Sequence, residues 1–326
     1  MPASSVPKGC LGPILTAQCH AHKTDPISIE DFYRFRSFFE ATVINPRKGR
    51  QLPALVKEHK SDPPMSFVME RGDFRRPGDP VTPGFPRVLN PSGAPVPPPP
   101  VQATSSYRRT ALARWLTRPD HPLTGRVIVN RLWLHHFGRA LVSTPNDFGR
   151  TGHPPSHPEL LDWLATELPE RAWSLKALHH LIVTSRTYRQ ASRGTGPGWQ
   201  RKLARDPDNR LLSRAPRKRL EGEAIRDSFL AVAGLLNRRA GGPGVRPPLP
   251  REITSTIRSR NWQVSPDPAD HVRRSIYIFV RRNLRYPLFD VFDRPDGNAS
   301  CPQRNESTTP TQSLTLLNSE FSSTIA

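Results

Sequence analysis

The chain has 326 residues and carries 48 Lys and Arg against 28 Asp and Glu, a formal net charge of +20. Its hydrophobic fraction of 35% lies below the roughly 45–50% usual for a globular chain, and 38 residues are proline. One real core with extended segments around it is therefore expected, and no run approaches the roughly 20 apolar residues that a membrane-spanning helix needs.

The N-terminus lacks the apolar run of a signal peptide: Lys8 is followed by Gly9, Cys10, Leu11 and Gly12, so the chain reads as soluble. Cys10, Cys19 and Cys301 are an odd, sparse set that makes no disulfide framework, and one bridge of unassigned pairing stays open. Residues 1–60 hold a Cys/His segment and then an aromatic stretch. Phe32, Phe35 and Phe39 recur there at helical spacing, which predicts one amphipathic helix with Pro46 marking its end. Residues 61–106 read as a proline-rich linker. Pro63, Pro64, Pro77, Pro80, Pro83 and Pro86 precede the run Pro97 to Pro100, a density that continues neither a helix nor a central strand. An extended polyproline-type spacer is expected, with residues 65–69 as a short strand.

Residues 107–326 carry helical patterns, and the fold class they predict is mainly α: an irregular multi-helix domain with long proline-rich loops and at most one short strand pair. A first helix over 107–117 buries Ala111, Leu112, Trp115 and Leu116. A second over 124–137 is apolar nearly all round, which places it at the centre of a core, and Gly138 stops it. A third starts at Ser156, where Glu159 completes a capping box, and buries Leu160, Leu161, Leu164 and Leu168. A fourth starts at Ser174 and buries Leu175, Leu178, Ile182 and Ser185. A fifth over 217–237 sets Ile225, Phe229, Val232 and Leu236 on one stripe, with Gly241 and Gly242 ending it. Residues 275–280 suit strand or helix, and a last helix starts near Pro310 and includes Leu314, Leu316 and Leu317.

Chemistry-bearing residues are sparse. No nucleophile elbow, Walker loop, dinucleotide fingerprint or His-Glu-x-x-His helix occurs, and the Asp147-Phe148-Gly149 triplet lacks the other kinase motifs. Asn146 to Arg150 reads as a polar turn between helices. If a pocket forms there, Asp147, Arg150, His153 and His157 are the first candidates to line it, with Glu159 beside them for acid–base work. Asn130 and Arg131 sit inside the apolar second helix and need partners. A structural network of Arg126, Asn130, Arg131, Asn146, Asp147 and Arg150 is expected, with Asp147 as counter-charge to Arg131 or Arg126. Cys19, His20 and His22 are candidate metal ligands that need a remote fourth group. Asp290, Asp293 and Asp296 could hold a divalent cation, but pairing with the abundant arginines is the simpler reading. The basic residues lie in separate elements without a nucleic-acid-binding motif, which argues against nucleic acid as partner and leaves polyanion binding resting on charge alone.

Several segments together resemble a planctomycete domain of unknown function, number 1553. They are Arg126-Val127-Ile128-Val129-Asn130-Arg131-Leu132-Trp133, His136-Phe137-Gly138-Arg139, Thr144-Pro145-Asn146-Asp147-Phe148-Gly149 and His157-Pro158-Glu159-Leu160-Leu161-Asp162-Trp163-Leu164. Ser185-Arg186-Thr187-Tyr188-Arg189-Gln190, Asp206-Pro207-Asp208-Asn209-Arg210 and Thr309-Pro310-Thr311-Gln312-Ser313-Leu314 follow in the same order. Ala17 to Ser28 resembles the tail of a companion domain, number 1549. The resemblance implies a piece of a long extracytoplasmic protein with a cytochrome-c-like domain upstream, truncated here at both ends. In the companion domain a Cys-x-x-Cys-His haem pattern is common at this place. Here Thr16 stands where the first cysteine would, so Cys19 and His20 are a degenerate remnant. No cofactor is expected on this chain, and haem c belongs on the upstream domain. The resemblance brings no reaction. A scaffold or interaction role, with other domains of the parent protein as partners, is the first expectation. The alternative is an envelope- or polysaccharide-directed enzyme built around Asp147, His157 and Glu159.

Overall fold

The protein is described here by a computed structural model that covers residues 16–45, 55–58, 63–254, 262–281, 284–298 and 300–325. Cys10 and Pro46 lie outside the described residues. The fold is mainly α, with short antiparallel strand pairs. It divides into two compact units, one made by the described residues up to Lys218 and the other by those from Arg219 onward. The described residues of 107–326, read as one helical body, contribute to both units, the first reaching Lys218 and the second beginning at Arg219.

In unit 1, helix α1 (Ile29–Arg36) begins at a capping box: Ser28 Oγ accepts from Asp31 N at 3.0 Å, and Asp31 Oδ2 accepts from Ser28 N at 3.0 Å. The predicted helix breaks into a 3₁₀ turn at Ser37–Phe39, and an unforeseen strand β1 (Thr42–Asn45) pairs antiparallel with β2 (Leu55–Glu58). A second pair, β3 (Ser66–Met69) and β4 (Pro77–Val81), covers Phe32 and Tyr33 of α1 through Val68, Met69 and Val81. The extended spacer expected over 61–106 is thus corrected in its first half. Pro77 and Pro80 sit in a two-stranded ribbon, where a missing N–H donor is tolerated at an outer edge. Phe85 is buried, stacked between Phe38 (5.3 Å) and Trp115 (4.6 Å). Pro97 to Pro100 stay exposed.

Helix α2 (Arg108–Leu116) packs Leu112 and Trp115 against Phe35, Phe38 and Phe85, while the main core of unit 1 is built by α3 (Thr124–Phe137), α4 (Pro158–Glu170) and α5 (Leu175–Thr184), with the short α6 (Pro197–Arg205) beyond them. Val129, Trp133 and Phe137 of α3 cluster with Leu161, Leu164 and Leu168 of α4 and Leu178 and Ile182 of α5. The helix predicted to be central is central. Gly138, at φ +75°, closes it by donating to Leu134 O. The predicted capping box at Ser156 does not form. The cap position is His157 and Pro158 is the first helical residue, which needs no N–H partner. Ser174 does cap α5, accepting from Ala177 N, but Leu175 at the first position of that helix is exposed rather than buried.

Unit 2 is looser in its elements: α7 (Gly222–Val232), α8 (Arg251–Thr254), α9 (Pro268–His271), α10 (Pro287–Val291), α11 (Pro310–Asn318) and α12 (Glu320–Ile325). Its core gathers Val245, Leu249, Trp262, Ile278, Tyr286, Leu288, Phe289 and Phe292. The stripe predicted for α7 is corrected. Ile225 packs against the core and Phe229 against Phe321, but Val232 is 91% exposed, the buried residues are Gly222, Arg226 and Leu230, and the helix stops at Val232, well before Gly241. The terminal nitrogens of the inward arginine are held mainly by backbone carbonyls, while its buried Nε has no hydrogen-bond partner among the described residues. Arg226 donates to Arg273 O (2.9 Å), His271 O (2.5 Å) and Ser275 Oγ (3.3 Å), and lies over the rings of Tyr286 and Phe321. Arg273, equally buried, donates to Gly241 O, Arg239 O and Pro243 O and lies 4.0 Å from the Tyr277 ring centre. Residues 275–280 resolve as a 3₁₀ turn (Ser275–Tyr277) followed by a parallel bridge between Val245 and Ile278. The helix predicted near Pro310 does start there as α11, with Thr309 and Gln312 forming a capping box, and the unforeseen α12 follows it.

Candidate functional site

The loop after α3 is held to that helix from inside. Asn130 is fully buried, and its amide donates to Val142 O (3.0 Å) while its carbonyl accepts from Val142 N (2.8 Å). A polar side chain in an apolar helix here does the work of a strand partner, which meets the need for satisfied buried groups. The loop then turns at residues 144–152. Asp147 spends both carboxylate oxygens on that turn, one accepting from Gly149 N (2.8 Å) and the other from Thr151 Oγ1 (2.7 Å). The expected counter-charge role of Asp147 is therefore corrected: Arg131 donates to Asn146 Oδ1 (2.9 Å), and Arg126 pairs with Asp162 (2.7 Å).

The candidates for acid–base work are not brought together. His157 lines a cleft with Arg139, Ser156, Asp208, Asn209 and Arg210, over an apolar floor that includes Trp133 and Phe137. His153 lines a different, shallower cleft with Arg126 and Asp162. Asp147 and Glu159 line neither, and Glu159 is exposed. The nearest hydrogen-bonding group to His157 is Ser156 Oγ, 3.0 Å from Nδ1. Arg150 enters through its backbone N–H alone, which donates to Asp25 Oδ1 at 2.8 Å.

What sequence reasoning missed is the far wall of the His157 cleft. Buried Asp206 accepts from Arg210 N (2.7 Å) and Leu211 N (2.8 Å), and Arg214 donates to Asp206 O and Pro207 O. Asn209, at φ +52°, bonds the backbone of Arg214 at both ends of its amide. This self-tied turn holds up Asp208 and Arg210. Among the described residues no ion pair or side-chain hydrogen bond engages the Asp208 carboxylate, the Arg210 guanidinium or the Arg139 guanidinium. The signal was present as an Asp-Pro-Asp-Asn turn sequence.

The Cys/His segment is structural in its contacts. His22 Nδ1 accepts from Asp25 N (2.8 Å), and His20 Nδ1 is 2.7 Å from Ala21 O. Cys19 is exposed, and among the described residues no three His, Cys, Asp or Glu gather as metal ligands would. Asp25 instead ties this segment to the 144–152 turn. A Cβ on Gly149 would come within 2.5 Å of Asp25 Oδ2. Gly149→Ala is therefore expected to push the buried carboxylate off the Arg150 N–H and to cost about 1–3 kcal/mol. A fall of less than 1 °C in Tm would refute this close approach.

In unit 2 each carboxylate of the aspartate trio has an arginine neighbour. Asp290 pairs with Arg285 (2.6 Å), Asp296 stands 3.7 Å from Arg285, and Asp293 pairs with Arg219 (2.6 Å) while accepting from Ser307 N and Oγ. These bonds hold Asp293 below the usual carboxylate range.

Two histidines of unit 1 are held below their ordinary value, chiefly by burial. Buried His121 uses Nδ1 to accept from Leu123 N (3.3 Å) and Thr124 N (3.1 Å), capping the start of α3, and Arg118 adds like charge. Half-buried His136 shares a 2.7 Å hydrogen bond with His179 and has His179, His135 and Lys218 as like-charged neighbours. The folded state favours the neutral rings, so the unfolded chain binds protons first as pH falls. The stability these rings contribute is whole above about pH 6.5 and is lost as pH drops below it. Thermal melts from about pH 7.5 to 5.5 are expected to show Tm falling, and His121→Asn, which keeps an acceptor without titrating, should flatten part of that fall. An unchanged slope in the variant would exclude the cap as a source.

No helix among the described residues is long and apolar enough to cross a membrane. No curated protein and no solved structure matches the chain. The profile of a family described as PSD1, protein of unknown function (DUF1553), matches residues 108–326, well over half of the chain, and the chain belongs to that family.

Proposed function

We propose that the chain is a non-enzymatic interaction module of an extracytoplasmic, cytochrome-linked multidomain protein, and that the Arg139–Asp208 cleft of unit 1 is its recognition surface. One observation carries this reading: Asp147, the carboxylate expected to work with His157, spends both oxygens on its own turn and does not line the His157 cleft. General acid–base work needs the two groups within reach of one proton. The unengaged charges of Arg139, Asp208 and Arg210 around an apolar floor suit recognition, where such groups fix the orientation of a partner. The family resemblance supports the parent protein and its compartment.

The test has two parts. The full chain should hydrolyse none of p-nitrophenyl acetate, phosphate or glycosides; turnover that His157→Ala or Asp208→Ala abolishes would overturn the reading in favour of an enzyme. A photo-crosslinking residue placed at position 139 of the parent protein should join this cleft to its occupant, whether a domain of the parent protein or a polymer bound there. Absence of any product there, with crosslinks formed from position 114, would place recognition elsewhere.

A further inference from the structure

Residues 186–218 leave α5, form a lobe and return to the cleft. Their two limbs are joined at the neck: Gln190 Nε2 donates to Leu212 O (2.7 Å) and Ala215 N to Ala191 O (3.2 Å). The lobe carries α6, a helix with no buried residue. Trp199 lies against Gly194, where a Cβ would meet its ring at 2.7 Å, and Trp199 and Leu203 are half-buried. What α6 shows to solvent is charge: Arg201, Lys202 and Arg205 are exposed.

This stretch holds ten Arg and Lys against two Asp. Elsewhere arginines pair with carboxylates, as Arg126 does with Asp162 and Arg304 with Glu223. Among the described residues of 186–218 none of the ten does, and Arg214 and Lys218 bond only backbone carbonyls. An uncompensated run of positive charge on an open lobe costs self-repulsion that an anionic partner would relieve. The same segment supplies Asp208 and Asn209 to the cleft, beside Arg139 and above an apolar floor.

We propose that unit 1 binds an acidic polysaccharide, a polymer of uronate or sulfated sugars. The lobe's guanidinium groups take its carboxylates or sulfates, and Asp208, Asn209 and Arg139 take its hydroxyls in the cleft. The inference rests on the reading of that cleft as a recognition surface. Three features choose the class. Guanidinium forks match carboxylate and sulfate oxygens. A carboxylate in the cleft accepts from the free hydroxyls that each sugar ring of such a polymer carries, which the phosphodiester backbone of duplex DNA does not offer. The half-buried Trp199 and Leu203 leave α6 no exposed apolar face to insert into a lipid surface.

The experiment titrates the full chain against fluorescently labelled polygalacturonate and heparin, with duplex DNA and neutral dextran as comparison probes. Saturable binding to at least one acidic glycan is expected, weakening as NaCl rises. Combined Arg201→Glu, Lys202→Glu and Arg205→Glu should weaken it about tenfold or more, and the charge-matched control Lys23→Glu, Arg114→Glu and Arg238→Glu less than about threefold. Asp208→Ala should weaken glycan binding and leave any duplex binding unchanged. Circular dichroism confirms that each variant is folded. Equal loss in both triple variants, duplex DNA held more tightly than either glycan, or no glycan binding would overturn the proposal. Failure of the partner class and failure of the underlying reading are distinguishable. Glycan binding without position-139 crosslinks, or with glycan cleavage that Asp208→Ala stops, sinks the recognition reading alone. Crosslinks without glycan binding sink the partner class alone.

Discussion

Arg226→Ala is expected to unfold or severely weaken unit 2, at a cost of about 3–5 kcal/mol. The guanidinium is 1% exposed and is the common donor for the carbonyls of His271 and Arg273 and the hydroxyl of Ser275. Its nearest carboxylate, Asp227, stands 3.8 Å away, so backbone dipoles hold most of the charge. Removing the side chain leaves carbonyls without a donor and opens a void between α7 and the rings of Tyr286 and Phe321. Arg226→Lys should recover only part of the loss, because one ammonium cannot reach acceptors spread along a planar fork. Urea unfolding followed by circular dichroism measures both. A cost below about 1 kcal/mol for the alanine variant would show that the carbonyls find water without the arginine.

Asn130→Leu is the counterpart in unit 1. The side chains branch alike at Cγ, but leucine is the larger, so overpacking at this fully buried site adds to the loss of both bonds to Val142. Val142 is 2% exposed, and its N–H and C=O would be left without the partner they have now. With about 1–3 kcal/mol for each of the two unsatisfied groups, a loss of about 2–6 kcal/mol is expected. Asn130→Asp separates the two bonds: it keeps an acceptor for Val142 N, removes the donor to Val142 O and places charge in the core, and should cost at least as much. If Asn130→Leu were neutral, the loop after α3 would be held by its other contacts and the amide would be dispensable.

The sequence was most readable where one physical rule acted alone. Helix α3 ran apolar around its circumference and ended at a glycine, so both its place in the core and its last residue followed from pattern. Ser174 and Pro310 likewise announced helix starts. The reading failed where polar side chains acted as core material. The stripe read for α7 took in apolar residues alone, so it missed the buried Arg226 and put Val232 inside. Proline density suggested a spacer over 61–106, yet a two-stranded ribbon needs few donors, and Phe85 supplied the apolar anchor. The pair β1 and β2 joins segments too short to stand out by periodicity.

The candidate site was legible in part. His157 was singled out and does line a cleft, but its expected companion Asp147 does not. The residues across from it, Asp208 to Arg210, belong to a turn that Asp206 and Arg214 hold together through bonds to main-chain atoms. Sequence spacing shows side-chain partners far better than it shows a carboxylate spent on two amides.

The neck between Gln190–Leu212 and Ala191–Ala215 carries a consequence for motion. A helix that buries none of its residues fully, with Trp199 and Leu203 half-buried, gains little from packing, so α6 is expected to melt while α3, α4 and α5 stay intact. Its amides should exchange with deuterium through this small opening, orders of magnitude sooner than those of Trp133 or Leu164. A polymer chain laid across the lobe would have to close that gap in protection, and occupancy would then be readable as lost exchange along residues 197–205.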